Sequence, residues 1–304
     1  MRTVVLGPQR RPTLDAVVRS LDLPGPVATV TAGWQEREPD DAELDALLGG
    51  RSGNLRLHAR WQDVLERDPE YATAELEHTA GLVERQELYL VQLDGALAAL
   101  REVARVGGGR DAVRDEARAD AEAVVRLLDE RHLHRVREAW AAFEQRWRPG
   151  ERDAVAGHRA EVRHALESVS ALVVAGGHVG VLLHVLRLFA VTPPPVVIAW
   201  SGGAMALTER VLLFHDRAPQ GRPHAEFFDA GLGWIPGCVL LPHARRRLLT
   251  TDTARMAELA CRTAPARCVV LDDGVRLELA EDGTLPPGAR VVDGEGRITE
   301  LVAA

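Results

Sequence analysis

Lysine is absent from the 304 residues, so all 37 basic side chains are arginine. That excludes Schiff-base chemistry, a lysine general base and the phosphate-binding lysine of a P-loop. Asparagine occurs once, at Asn54. There are three cysteines, Cys238, Cys261 and Cys268. They are too few for a disulfide-stapled scaffold and read as buried thiols in a reducing compartment. Excess positive charge is also missing. The net charge is -8, whereas a duplex nucleic-acid binder needs a basic face to displace counterions. No uninterrupted run of membrane length exists. The most apolar stretch, 171–191, contains Gly176-Gly177, His178, His184 and Arg187, and charge is costly at a bilayer centre. It reads as a strand, a glycine turn and a helix. The start has only a short apolar run before Gly7-Pro8, which does not read as a secretory leader. The expectation is a cytoplasmic protein with no nucleic-acid or membrane partner.

What is present is an ordinary globular composition, 46% apolar and 27% charged. The pattern divides the chain in three. Residues 1–54 read as strand, helix, strand: Thr3–Leu6 ends at Gly7-Pro8, Thr13–Leu21 has helical spacing, and Pro26–Thr31 ends at Ala32-Gly33. Residues 55–164 are rich in strong helix formers. Leu82, Tyr89, Leu93, Leu97 and Leu100 form one apolar stripe. Gly107-Gly108-Gly109 breaks it, and Val113, Ala117, Ala121, Val124, Leu128, Val136, Trp140, Phe143 and Trp147 form a second. The spacing predicts a long antiparallel helical hairpin, followed by a helix over 152–168. Its apolar stripes either pack internally or dock a second copy as a homodimer.

Residues 165–304 return to α/β. Ala171–Ala175, Pro195–Trp200 and Cys268–Leu271 read as buried strands. Val275–Leu279 reads as the hairpin partner of the last. Val291-Val292 and 297–302 flank Asp293-Gly294-Glu295-Gly296 as a terminal hairpin. The predicted fold class is three-layer α/β/α with a mainly parallel sheet, interrupted by an α-helical insertion.

Val197-Ile198-Ala199-Trp200-Ser201-Gly202-Gly203-Ala204-Met205 is the most informative segment. An apolar strand stops at a serine, and small residues open a helix expected to run through Val211 and Leu212. This is the form of a nucleophile elbow, where a sharp backbone turn tolerates only small neighbours. It also sets Ser201 at a helix start, which favours developing negative charge. Ala199 replaces the first glycine of G-x-S-x-G, so a tight turn with a capping serine is an equal reading of the motif alone. His243 follows the apolar run Cys238–Leu241, at a strand end suited to a general base. Asp216 follows the elbow helix and could orient the imidazole. Asp272-Asp273, at another strand end, is the other acidic candidate. His178, His184, His215 and His224 are rivals to His243.

These residues carry a resemblance. Ala199-Trp200-Ser201-Gly202-Gly203-Ala204-Met205 is similar to the elbow of the serine peptidases grouped with peptidase E (aspartyl dipeptidase) and cyanophycinase. Gly231-Leu232-Gly233-Trp234-Ile235-Pro236-Gly237 followed by Pro242-His243 looks like that family's Gly-Leu-Gly-Leu-Leu-Pro-Gly segment leading to its catalytic histidine. Ala175-Gly176-Gly177-His178 and Leu271-Asp272-Asp273-Gly274 resemble its Gly-Gly strand end and its Ile-Asp-Glu turn. The four motifs occur in the family's order, across roughly 1–50 and 165–280 but not the helical middle. The resemblance implies a class I glutamine amidotransferase-like fold over 1–54 and 165–304, with 55–164 inserted. It implies Ser201 as nucleophile, His243 as base, and Gly177 and Gly202 N–H groups as the oxyanion hole. The acid would be Asp216 by the peptidase E branch or Asp273 by the cyanophycinase branch, and Asp216 is preferred. His178 falls where the family holds substrate, but the family has Asn or Asp there. Leu241 stands where the family is polar, so the catalytic pair transfers better than the substrate pocket.

The expected function is a serine hydrolase cleaving a peptide or small amide substrate through an acyl-enzyme, without cofactor. Two alternatives stand: an α/β-hydrolase-type esterase, which shares the Ser, Asp, His order, and an inactive peptidase-like scaffold binding a partner through the helical insertion. Ser201 rather than cysteine argues against glutamine hydrolysis. Arg245-Arg246-Arg247 reads as an exposed basic helix start or as a carboxylate binder. Glu75/His78, Asp129/His132 and Glu161/His164 have helical-bundle metal spacing. Helices this crowded with Glu, Arg and His produce such pairs by chance, so no metal is expected.

Overall fold

The structure, a computed structural model, describes residues 1–217 and 224–302. The chain is mixed α/β with a mainly parallel central sheet and long helices. In order, it forms β1 (Arg2–Leu6), α1 (Leu14–Leu21), β2 (Val27–Val30), a 3-10 turn (Ala32–Arg37), α2 (Ala42–Leu47) and β3 (Ser52–Asn54). Four helices follow: α3 (Leu57–Arg67), α4 (Pro69–Arg105), α5 (Asp111–Trp147) and α6 (Asp153–Glu167). Then come β4 (Ala171–Val174), α7 (Val179–Leu188), β5 (Val196–Trp200), α8 (Gly202–Leu207), β6 (Arg210–Leu213), β7 (Glu226–Ala230) and β8 (Cys238–Pro242). Last are α9 (Ala244–Arg247), α10 (Thr253–Thr263), β9 (Arg267–Leu271), β10 (Arg276–Leu279), β11 (Arg290–Val292) and β12 (Ile298–Glu300).

The central sheet has the order β10-β1-β5-β4-β2-β3, with only β10 antiparallel to its neighbour. Its inner strands β1, β5, β4 and β2 are buried and mostly apolar on both sides, as a doubly covered parallel sheet requires. Side chains alternate between faces. Val4, Leu6, Val173, Ile198 and Trp200 meet α1 and α2 on one face, and Val5, Val30, Val174, Val197 and Ala199 join the larger core with α7 and α8 on the other. Helix α1 is amphipathic and buries Leu14, Val17, Val18 and Leu21, each contributing about 1.5–3 kcal/mol relative to exposure.

Three expectations change. The helix after Ser201 ends at Leu207, and Val211 and Leu212 lie in β6, paired with β7. The Thr208 hydroxyl donates to the Met205 carbonyl at the helix end, where the chain turns extended. The strands β9 and β10 are not hairpin partners. β9 pairs with β8 and β11, while β10 pairs with β1. The turn between them is held by Gly7, whose N–H donates to the Val275 carbonyl and whose missing Cβ would meet the Asp272 carbonyl at 1.9 Å. The buried face of α5 is also rotated from the predicted stripe. It runs through Val125, Asp129, His132, Leu133, Val136 and Phe143, while Val113 and Val124 are exposed.

Polar contacts explain that rotation. The Tyr89 hydroxyl donates to Asp129 at 2.6 Å, and Arg262 of α10 grips the same carboxylate at 2.9 and 3.0 Å and donates to the Ala225 carbonyl. The His132 ring stacks on Tyr89 at 4.0 Å. The cluster ties α4 and α5 to α10 and β7. On α4, Tyr89, Leu93, Leu97 and Leu100 are buried as predicted. No helix among the described residues is long and apolar enough to cross a membrane.

Candidate active site

The candidate site lies at the C-terminal edge of the central sheet, where the loops after β1, β2, β4 and β5 converge. β5 delivers Ser201 at φ 49, ψ -125. That backbone conformation is essentially reserved for glycine, and a serine held in it costs about 1–3 kcal/mol. Close packing dictates the glycines around it. A Cβ on Gly202 would stand 2.4 Å from the Gly177 carbonyl, and one on Gly203 would stand 2.4 Å from the Val174 carbonyl. Gly177, at φ 122, presses on the Gly33 carbonyl, and His178 N–H donates to that carbonyl at 2.8 Å. The ends of β2, β4 and β5 therefore meet backbone to backbone. The Gly202 N–H opens α8 and has no intrahelical acceptor.

β8 delivers His243. Its N–H donates to the Leu271 carbonyl of β9 at 3.1 Å, and φ 57 turns the ring away from the strand direction. The imidazole Nε2 stands 3.4 Å from Ser201 Oγ, a loose contact of the kind that tightens when substrate binds. Burial, followed by the charge of Arg247, pulls the His243 pKa below the usual histidine value; Asp273 opposes the shift, while Arg10 and Arg246 add to it. The ring is thus favoured as the neutral base.

The other predicted residues are placed as follows. Asp216 does not join the pair. Its carboxylate accepts from Arg255 at 3.0 and 2.9 Å and from the Leu249 N–H at 3.1 Å. These bonds lock the stretch after β6 to α10 and commit the preferred acid to Arg255 and the Leu249 N–H, with no bond to the imidazole. Asp273 is exposed in the β9–β10 turn and acts on His243 through its charge. Among the described residues, no carboxylate bonds to the His243 ring. Asp272 caps α9, accepting from the Arg245 N–H at 3.0 Å. His178 caps α7, its Nδ1 accepting from the Val181 N–H. Of the rival histidines, His184 pairs with Glu75, His224 with Asp94, and His215 is exposed, near Arg247 and Asp216.

Sequence reasoning missed Arg10 and Trp34. Both lie in loops that follow strands β1 and β2, and that position was the available signal. Among the described residues, no three His, Cys, Asp or Glu side chains form a group that could hold a metal ion. Glu75 instead accepts from the Trp61 indole, and Asp129 serves Arg262 and Tyr89.

No protein-family model matches the chain, and no curated protein matches it. Among solved structures it is similar to the crystal structure of a peptidase from an acI-B1 Actinobacterium. The two share 12% sequence identity over 99% of this chain and 94% of that one, with a TM-score of 0.47.

Proposed function

We propose that the protein is a serine hydrolase that cleaves a peptide or other amide bond. The supporting observation is Ser201 Oγ, raised on a strained strand-to-helix turn, 3.4 Å from the Nε2 of a half-buried His243. In this reading Ser201 Oγ attacks the amide carbonyl carbon while His243 Nε2 takes the hydroxyl proton. The Gly177 and Gly202 N–H groups receive the oxyanion. As the C–N bond breaks, His243 returns the proton to the departing amine. Water then attacks the acyl-enzyme with His243 again as base, releasing the acid and free Ser201. Asp273 stabilises the imidazolium through space, so the machinery is a Ser-His dyad with a remote carboxylate.

The resemblance to peptidase E and cyanophycinase fits this assignment of Ser201 and His243. It also fits an α/β domain over 1–54 and 165–304 with 55–164 as an insertion.

Labelling with a fluorophosphonate, read by intact mass, tests the reading. One adduct is expected on wild type and none on Ser201→Ala. A folded wild type that takes no adduct would eliminate an activated serine. The binding-scaffold reading would then gain support from the commitment of Asp216 to Arg255.

A further inference from the structure

A groove of about 390 Å³ lies on the α1–α2 face of the sheet, beside the elbow. Trp34 and Trp200 wall it, Leu14 and Leu44 form its floor, and Gln9 and Pro12 close one side. Trp200 is the residue immediately before Ser201. A Cβ on Gly176 would stand 2.9 Å from Ser201 Cβ and 3.4 Å from the Trp200 ring, so the indole edge and the serine share one small volume. The loop after β1 also spans both places. Its Gln9 and Pro12 line the groove, while its Arg10 acts on His243. The lining of the groove therefore adjoins the catalytic pair, through Trp200 next to Ser201 and through the loop after β1.

Its chemistry differs from that of the His243 side, where Arg10, Arg246 and Arg247 gather. The one rim cation, Arg37, is ion-paired with Asp40, and Glu43 adds a further negative charge. An anionic group gains nothing there. Two indole walls over a leucine floor suit a flat apolar group, which gains ring packing beyond its area burial. A groove of this size, with aromatic and aliphatic residues on one part and Gln9, Arg37, Asp40 and Glu43 on the rest, is within the range of ligand pockets.

We propose that this groove is the specificity pocket of the site and receives an aromatic side chain of the substrate next to the bond that is cleaved. The inference rests on the reading of Ser201 as nucleophile for its function, but its test does not need turnover.

The experiment is a ligand-observed NMR titration of Ser201→Ala protein with N-acetyl-L-phenylalaninamide, N-acetyl-L-leucinamide and N-acetyl-L-glutamate amide. The phenylalanine amide should bind roughly tenfold tighter than either of the others. Adding Trp34→Ala should remove that preference. Leu47 also lines the groove; Leu47→Trp, which puts a larger side chain into it, should block binding, and thermal melting checks that each variant is folded. Equal binding of the three amides would overturn the proposal, as would an aromatic preference surviving in both variants. Should Trp34→Ala fail to fold, Leu47→Trp alone decides. Aromatic binding by a protein that takes no fluorophosphonate would keep the groove and remove the hydrolase.

Discussion

The Ser201–His243 pair and the Tyr89–Asp129–Arg262 cluster are both polar groups set among apolar ones, and they are built in opposite ways. Asp129 is 2% exposed and its carboxylate is filled, by Tyr89 and by a two-pronged Arg262. All of this sits on regular helices. Ser201 has one long contact, a backbone conformation suited to glycine, and a base whose ring meets no carboxylate among the described residues. A saturated network fixes a structure, because each member would be costly to strand. A strained and underbonded pair keeps capacity for a ligand. The contrast separates holding from acting without reference to any relative.

The largest effect should come from breaking the saturated side. Arg262→Ala leaves the Asp129 charge buried with only Tyr89 to meet it. Stability should fall by about 3–5 kcal/mol, the usual cost of stranding one partner of a buried pair. Urea unfolding measures it. A loss under about 1 kcal/mol would mean that the cluster is incidental and that α4 and α5 are held by apolar packing alone.

The strained side should respond with the opposite sign. Ser201→Gly removes the side chain from a φ 49, ψ -125 turn and should gain about 1 kcal/mol of stability, even though it removes the candidate nucleophile. Ser201→Ala keeps a Cβ in the same conformation and should gain nothing. If the two variants unfold at the same urea concentration, the turn stores no strain.

The same contrast accounts for what the sequence discloses. Ser201 and His243 were legible because each ends an apolar strand beside punctuating small residues, a local signal. The helical hairpin was legible from its composition. The bonding of Asp216 is not legible in the sequence because its partner, Arg255, lies 39 residues away, and nothing near Asp216 announces it. The buried face of α5 is not legible from hydrophobicity alone, because it carries Asp129 and His132. Val211 and Leu212 look equally apolar in a helix or a strand, and only their pairing with β7 decides. The Trp34–Trp200 groove joins loops far apart in the chain and has no local signature.

The smallest expected effect is also the one that best resolves how the pair works. With its pKa held below the ordinary 6.5 by burial and by Arg247, His243 should be mostly neutral at pH 7. The rate of fluorophosphonate labelling should then be flat near neutrality and fall as pH drops through a midpoint below 6.5. Linkage gives the same sign for stability. The unfolded chain binds the proton first, so this histidine favours unfolding progressively as pH falls below its ordinary value, and contributes no such bias above it. Asp273 is the charge that opposes the shift. Asp273→Asn should therefore move the labelling midpoint lower still, by a fraction of a pH unit, because the carboxylate is exposed and screened. A carboxylate bonded to the ring would behave differently, since its loss disturbs the tautomer and lowers the plateau rate steeply. A collapsed plateau in Asp273→Asn would thus convert the remote carboxylate into a third triad member that closes onto His243 during reaction. A shifted midpoint with an intact plateau would leave Ser201 and His243 working as a dyad.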